Sequence, residues 1–146
     1  MDRRTGKKQK SIKPPEFDKG YLGIVLASAK MPKPDYPVFC FKHLVSGYNL
    51  DGCDKDQKAY FVAKLAMMAQ QTWDDLMLAG HKSGAGFETI SKVALNVQLP
   101  PIITEDVEKV YVMRFKEKYR MIGHRSDYIY HITHIDINLS AYDHGN

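Results

Sequence analysis

Basic and imidazole side chains recur along the C-terminal third of the chain, between residues 110 and 138. Residues 109–125 contain six lysines and arginines but a single acidic residue, Glu117. Such an excess suits phosphate binding, because the release of counterions from a nucleic-acid backbone supplies most non-specific affinity. The histidines that follow could transfer a proton near neutral pH. The pattern favours a surface that holds, and could cut, a nucleic-acid backbone. The alternative is a charged, solvated sheet face that prevents aggregation.

The same stretch is predicted to form three strands, at residues 110–116, 119–125 and 128–137. Two-residue turns at 117–118 and 126–127 make neighbouring strands antiparallel. Side chains then alternate between the two faces of the sheet, and neither face is purely apolar. Because helices can cover only one face, we expect cationic and imidazole groups to stay exposed on the other.

The histidines and cysteines give no metal-binding pattern in the sequence. His131 and His134 are three residues apart in a predicted strand, so they should point to opposite faces and cannot share a metal. Cys40 and Cys53 lie outside any metal or redox spacing, and Cys40 is interpreted as a small core residue. We therefore predict no metal site and no cofactor.

The elements before this stretch should position it. A strand is predicted at residues 38–44, followed by a helix from Lys55 to about residue 70 that begins in a capping box of Asp54 and Gln57. A second capping box, of Thr72 and Asp75, starts a helix over 73–79 that ends at Gly80. The buried stripe of the first helix is predicted to be Val62, Leu65, Ala66 and Ala69. Trp73 should lock the helices onto the sheet. Residues 81–92 read as a loop with one helical turn, and residues 93–101 as a buried extended piece.

Length and composition fit one folded domain with a polar extension. The 146 residues are 44% hydrophobic, and no apolar run reaches the roughly 18 residues that span a bilayer. Residues 1–20 carry seven basic and three acidic groups and are predicted to be a basic flexible arm. Residues 21–37 are interpreted as a docking segment and a proline-rich linker, and residues 38–146 as the domain. With no secretory signal, a cytoplasmic location is expected and no membrane partner.

The predicted fold class is α+β: a strand, a two-helix hairpin and a three-stranded antiparallel meander. This layout resembles the RelE/ParE toxin superfamily, in a divergent branch of the phage or mobile-element type. Four stretches carry the resemblance: residues 39–44, 54–80, 113–136 and 141–146. The interruption at Gly123-His124-Arg125 departs from the family's apolar second closing strand.

The resemblance implies a metal-independent endoribonuclease that cleaves mRNA through attack of the 2′-hydroxyl on the adjacent phosphate. Arg114 and Arg120 would stabilise the phosphorane, and His134 or His144 would act as acid or base. Tyr142 would stack on a base or help to position the phosphate. The residues expected to hold the flanking backbone are Lys116, Lys118, His124 and Arg125.

Two functions from different classes are expected. The first is a toxin-like endoribonuclease that acts on free or ribosome-bound RNA and has an antitoxin partner. The second is a non-catalytic module that uses the same fold to bind nucleic acid or a protein, since relatives with one fold can act on different targets.

Overall fold

The computed structural model describes residues 35–80 and 85–143, which belong to a single compact unit starting at Asp35. The predicted basic arm, most of the predicted docking segment and linker, and His144 lie outside these ranges. Within them, the elements are β1 (Val38–Cys40), α1 (Lys55–Met68), α2 (Trp73–Ala79), β2 (Glu88–Ser91), β3 (Lys109–Lys116), β4 (Tyr119–Ser126) and β5 (Ile129–Asp136).

The strands form one mixed sheet in the order β1-β5-β4-β3-β2. β3, β4 and β5 are the predicted antiparallel meander, and β1 adds to β5 in parallel at the edge. The α+β class and the order of elements are confirmed, but the sheet has five strands in the described ranges. The additional strand is β2, which lies in the stretch predicted as a loop and helical turn. It pairs antiparallel with β3 at the edge of the sheet. Its side chains alternate between half-buried and exposed, as in an ordinary edge strand.

Several predicted boundaries were wrong by a few residues. β1 ends at Cys40 rather than at residue 44, because the chain turns at Lys42 and His43. Residues 92–94 form a 3-10 turn, which includes the first two residues of the stretch that was predicted to be extended. The β4–β5 turn is Asp127-Tyr128, one residue later than predicted. Asp127 has a φ of 56° and Glu117, in the β3–β4 turn, a φ of 48°, as tight hairpin turns require.

Both helices begin where their caps predict. The Asp54 carboxylate accepts a hydrogen bond from the backbone N–H of Gln57 at 2.8 Å. The side-chain oxygen of Gln57 accepts one from the backbone N–H of Asp54 at the same distance. The predicted buried stripe of α1 was wrong: Phe61 and Met68 are buried, Leu65 is half-buried, and Val62 is 60% exposed. Apolar residues occur on every side of this helix, so periodicity alone does not fix the buried face.

Trp73 locks α2 onto the sheet, as predicted. It is fully buried, and its indole Nε1 donates to the Tyr128 carbonyl at 2.9 Å. Its ring stacks on Phe87 with centroids 4.9 Å apart.

The two faces of the sheet carry two separate hydrophobic clusters. The helices cover one face, which we call the helix-side face. There Phe61 of α1 and Trp73 of α2 belong to the same cluster as Met121 of β4. The other, the loop-side face, is covered by residues 95–107 and by Ala141 and Tyr142. The expectation of an uncovered second face was therefore wrong, because irregular chain covers it as the helices cover the first.

A β-bulge sets which side chains share the loop-side face. Ile122 pairs with His134 and Gly123 pairs with Ile132, so Thr133 is the extra residue on β5. The bulge shifts the alternation by one position. His131 and His134 consequently lie on the same face, contrary to the prediction from simple alternation.

Candidate functional site

Two predicted catalytic arginines meet on the loop-side face. Arg114 on β3 lies opposite Arg120 on β4, and Arg120 lies opposite Asp136 on β5. Arg114 is half-buried and Arg120 is 8% exposed. The Nε atoms of both arginines are buried and have no hydrogen-bond acceptor among the described residues. Two adjacent guanidinium groups with unsatisfied donors favour an anion at this position, since an unsatisfied buried donor costs about 1–3 kcal/mol.

Asp136 can neutralise only part of this charge, because it is one carboxylate beside two guanidinium groups. Its two oxygens accept from the backbone amides of Ser140 and Ala141, at 3.1 and 3.0 Å. These bonds fix the chain after β5 and bring Tyr142 back over the sheet. Asp136 therefore acts mainly as a structural anchor for the C-terminal segment.

Tyr142, predicted at the catalytic site, lies beside the arginine pair. It shares a side-chain hydrogen bond with Arg120, and its hydroxyl donates to Glu88 Oε1 at 3.3 Å. Burial raises the pKa of Tyr142 to about 12, although Arg120 acts in the opposite direction. A phenol with this pKa stays protonated near neutral pH and can donate, but not accept, a proton.

Two of the predicted backbone-binding lysines are at the same end of the hairpin. Lys118 is exposed in the β3–β4 turn, and its carbonyl accepts from Arg120 Nη1. Lys116 Nζ lies 4.4 Å from the centroid of the Tyr60 ring on α1. We call Arg114, Lys116, Lys118 and Arg120 the cationic hairpin end.

His134 is not available to a ligand in this structure. Its side chain is fully buried, with Nδ1 2.8 Å from Thr133 Oγ1 and Nε2 3.0 Å from the Gln98 carbonyl. Burial lowers the pKa of His134, although the hydrogen bond to Gln98 and the charge of Asp136 oppose the shift. The ring therefore connects β5 to the segment that covers the loop-side face.

The remaining two predicted backbone-binding residues lie at the opposite end of β4. Lys118 and Arg125 are seven positions apart along extended chain, which corresponds to roughly 20 Å. Arg125 already has partners: its guanidinium is 2.6 Å from the Asp35 carboxylate and 4.2 Å from the centroid of the Trp73 ring. His124 stacks on His131 with ring centroids 6.2 Å apart. The four predicted residues thus do not form one surface.

A group of possible metal ligands occurs near the start of β5. Cys40, His43 and His131 each offer one ligand atom, and these atoms lie within 4.8 Å of one another. All three side chains are half-buried, and Cys40 is a free thiol. This group was not predicted from the sequence, in which no metal ligands were expected.

The Cys-x-x-His spacing of Cys40 and His43 was the signal that could have indicated it, since short spacings of this kind are typical of chelating pairs. The third residue follows only from the parallel register of β1 and β5, which spacing does not encode.

Comparison of the chain with protein-family models, curated proteins and solved structures finds no match. The resemblance to RelE/ParE toxins therefore stays a prediction. In the part of the chain that the structure describes, the helices are too short and too polar to cross a lipid bilayer.

Proposed function

We propose that this protein binds the phosphate backbone of RNA through the cationic hairpin end. The observation that carries the proposal is the Arg114–Arg120 pair, two arginines on neighbouring strands of the loop-side face, of which Arg114 is half-buried and open to solvent. A phosphodiester oxygen is a suitable acceptor, because charge-assisted hydrogen bonds from arginine to phosphate are among the strongest that proteins form.

Two lysines of the same hairpin end extend this interaction along the backbone. Lys118 is exposed in the turn, and the half-buried Lys116 lies on the helix side near Tyr60, a residue that is 41% exposed. An exposed ring beside a cation also suits an unstacked base, so single-stranded RNA fits this surface better than a duplex does.

Fluorescence anisotropy of labelled single-stranded RNA at several salt concentrations tests the proposal. We expect Arg114→Gln and Lys118→Gln each to weaken binding and to reduce the slope of log affinity against log salt by about 0.7. Lys109→Gln is the matched control, because Lys109 is an exposed cation at the other end of β3. Equal losses in all three variants would mean that only net charge matters, and would contradict a site at the hairpin end.

A toxin-like endoribonuclease is the second candidate, and the position of Tyr142 beside Arg120 favours it. In such a reaction the 2′-hydroxyl oxygen bonds to phosphorus, the bond to the 5′ oxygen breaks, and a 2′,3′-cyclic phosphate and a 5′-hydroxyl result. Arg114 would stabilise the charge on the pentacoordinate phosphate, and Tyr142 would donate a proton to the leaving oxygen. The 2′-hydroxyl proton would pass to a solvent water, because His134 is buried. This second candidate also includes an antitoxin partner, ribosome-bound RNA as the substrate and a cytoplasmic location.

Expression in a bacterium separates the two candidates. The measurements are growth and the appearance of mRNA fragments with 2′,3′-cyclic phosphate and 5′-hydroxyl ends. Cleavage that is lost in Arg114→Gln and reduced in Tyr142→Phe would support the enzyme. RNA binding without cyclic phosphate ends would support the non-catalytic module.

A further inference from the structure

Three strands bring sulfur and imidazole groups into one row on the loop-side face. The parallel pairing of β1 with β5 places Cys40 beside His131, and the antiparallel pairing of β4 with β5 places His124 on the other side of His131. Residues paired across a sheet share a face, so the strand pairing itself makes Cys40 and His131 neighbours, whichever rotamers they adopt.

The turn after β1 adds His43 to Cys40 and His131. Leu44 N donates to the Phe41 carbonyl at 3.4 Å, and Val45 N donates to the carbonyl of the bulge residue Thr133 at 2.8 Å. The first bond closes the turn and the second holds it against β5, and the His43 ring lies 5.5 Å from the His131 ring, centroid to centroid.

One ring nitrogen of His131 lacks a hydrogen-bond partner in the part of the chain that the structure describes. Its Nδ1 is buried and has no hydrogen-bond partner among the described residues. In the tautomer that carries its proton on Nε2, this nitrogen has a free lone pair. A neutral imidazole with a free lone pair is the form that ligates a metal.

The donor set suits a borderline-soft transition metal. One thiolate and two imidazoles are typical ligands of zinc, with bonds of about 2.3 Å to sulfur and 2.0–2.1 Å to nitrogen. Tetrahedral coordination with these bonds places the ligand atoms about 3.4–3.6 Å apart. Since the present separations are within 4.8 Å, small side-chain rotations bring them to this distance.

We propose that Cys40, His43 and His131 bind a zinc-type divalent metal ion, with the fourth coordination position open to water. Binding exchanges the Cys40 thiol proton, which passes to solvent, for a sulfur–metal bond, and uses a nitrogen lone pair of each histidine. The metal would join β1, the turn after it and β5. β1 contributes only three residue pairs to the sheet, so this edge gains the most from such a link.

The site is separate from the proposed RNA-binding surface. His131 and Asp136, which pairs with Arg120, are five positions apart on β5, so the two places are roughly 15 Å apart. Metal binding can therefore be measured without RNA, and its failure leaves the proposed function untouched.

The first experiment is titration of the metal-free full chain with Co²⁺, a spectroscopic substitute for Zn²⁺, followed by displacement with Zn²⁺. We expect one equivalent to give a thiolate-to-cobalt charge-transfer band and the visible bands of tetrahedral cobalt. Cys40→Ser should abolish the charge-transfer band. His43→Asn and His131→Asn should each weaken zinc affinity by more than about 100-fold, since loss of an outer-shell partner alone costs 10–100-fold.

Cys53→Ser and His124→Asn are the controls, because they remove the other thiol and the stacked imidazole while leaving the three ligands in place. Both should still bind one equivalent of metal.

A second measurement uses the unmodified protein, so it does not depend on a variant that folds. Zn²⁺ should slow alkylation of Cys40, mapped by mass spectrometry, and should raise the Tm, because a ligand that binds only the folded state stabilises it. The absence of a charge-transfer band, its persistence in Cys40→Ser, or unchanged alkylation of Cys40 in excess Zn²⁺ would each overturn the proposal.

Discussion

His131 and His134 lie on the same face of β5 although they are three positions apart, because the bulge at Thr133 shifts the alternation between them. Their environments nevertheless differ. His134 is fully buried with both ring nitrogens hydrogen-bonded, whereas His131 is half-buried with one nitrogen unsatisfied. The bulge places both imidazoles on one face, and the segment of residues 95–107 covers His134 there.

Gly123 is the residue that permits this bulge, so Gly123→Ala should destabilise the protein. An added Cβ would lie 2.3 Å from the His131 carbonyl oxygen and 2.7 Å from the Tyr130 ring. The Tyr130 hydroxyl donates to the Tyr111 carbonyl at 2.9 Å, so the ring cannot move freely. Overpacking of this kind costs about 1–3 kcal/mol in the free energy of unfolding, which urea denaturation measures.

Gly52→Ala is the matched control, since an added Cβ there has no heavy atom within 4 Å. Its free energy of unfolding should stay near that of the unmodified protein. Equal stability of the two variants would contradict the close approach of β4 and β5 at Gly123.

His134 should make stability depend on pH. Burial lowers its pKa in the folded state, so the unfolded chain, with a histidine pKa of about 6.5, binds the proton more readily. The contribution is fully present above that pH and is lost as the pH falls towards the folded pKa. We expect His134→Gln to flatten the dependence of the free energy of unfolding on pH between about 7.5 and 5, measured with a chelator present. An unchanged slope would contradict the assignment.

The sequence carried enough information to predict the helices and the meander, because their signals are local. The caps at Asp54 and Thr72 and the tight turn at Glu117 each depend on residues within four positions of one another. β2 was missed because Glu88 to Ser91 is short and follows a glycine-rich stretch that resembles a loop.

The candidate site was predicted only in part, because burial depends on contacts between distant residues. Alternation correctly placed Arg114 on one face, and the strand pairing sets Arg120 opposite it. Nothing local shows that residues 95–107 return to cover that face and bury His134. Likewise, the meeting of Cys40 with His131 depends on a parallel register between strands about 90 positions apart.

Trp73 should contribute more to stability than any surface residue of α2. Trp73→Ala removes a fully buried ring, its stack on Phe87 and its hydrogen bond to the Tyr128 carbonyl. Such truncations cost about 3–5 kcal/mol, so thermal and urea unfolding should both show a large loss. Leu78→Ala is the control on the same helix, because Leu78 is 86% exposed and its truncation should change the free energy of unfolding little.

Arg125 should affect stability rather than RNA binding. Its guanidinium pairs with Asp35 at 2.6 Å and lies over the Trp73 ring, so it ties the start of the described chain to the helix-side core. The ion pair and the ring contact together are worth about 1 kcal/mol at a half-exposed position. We expect Arg125→Gln to lower the free energy of unfolding by about that amount, while RNA anisotropy at matched salt falls no more than in Lys109→Gln. Asp35→Asn should lower stability by less, because the contact with Trp73 remains. If Arg125→Gln instead weakened RNA binding as strongly as Lys118→Gln does, the nucleic-acid surface would have to extend along the whole of β4, and the restriction to the hairpin end would be wrong.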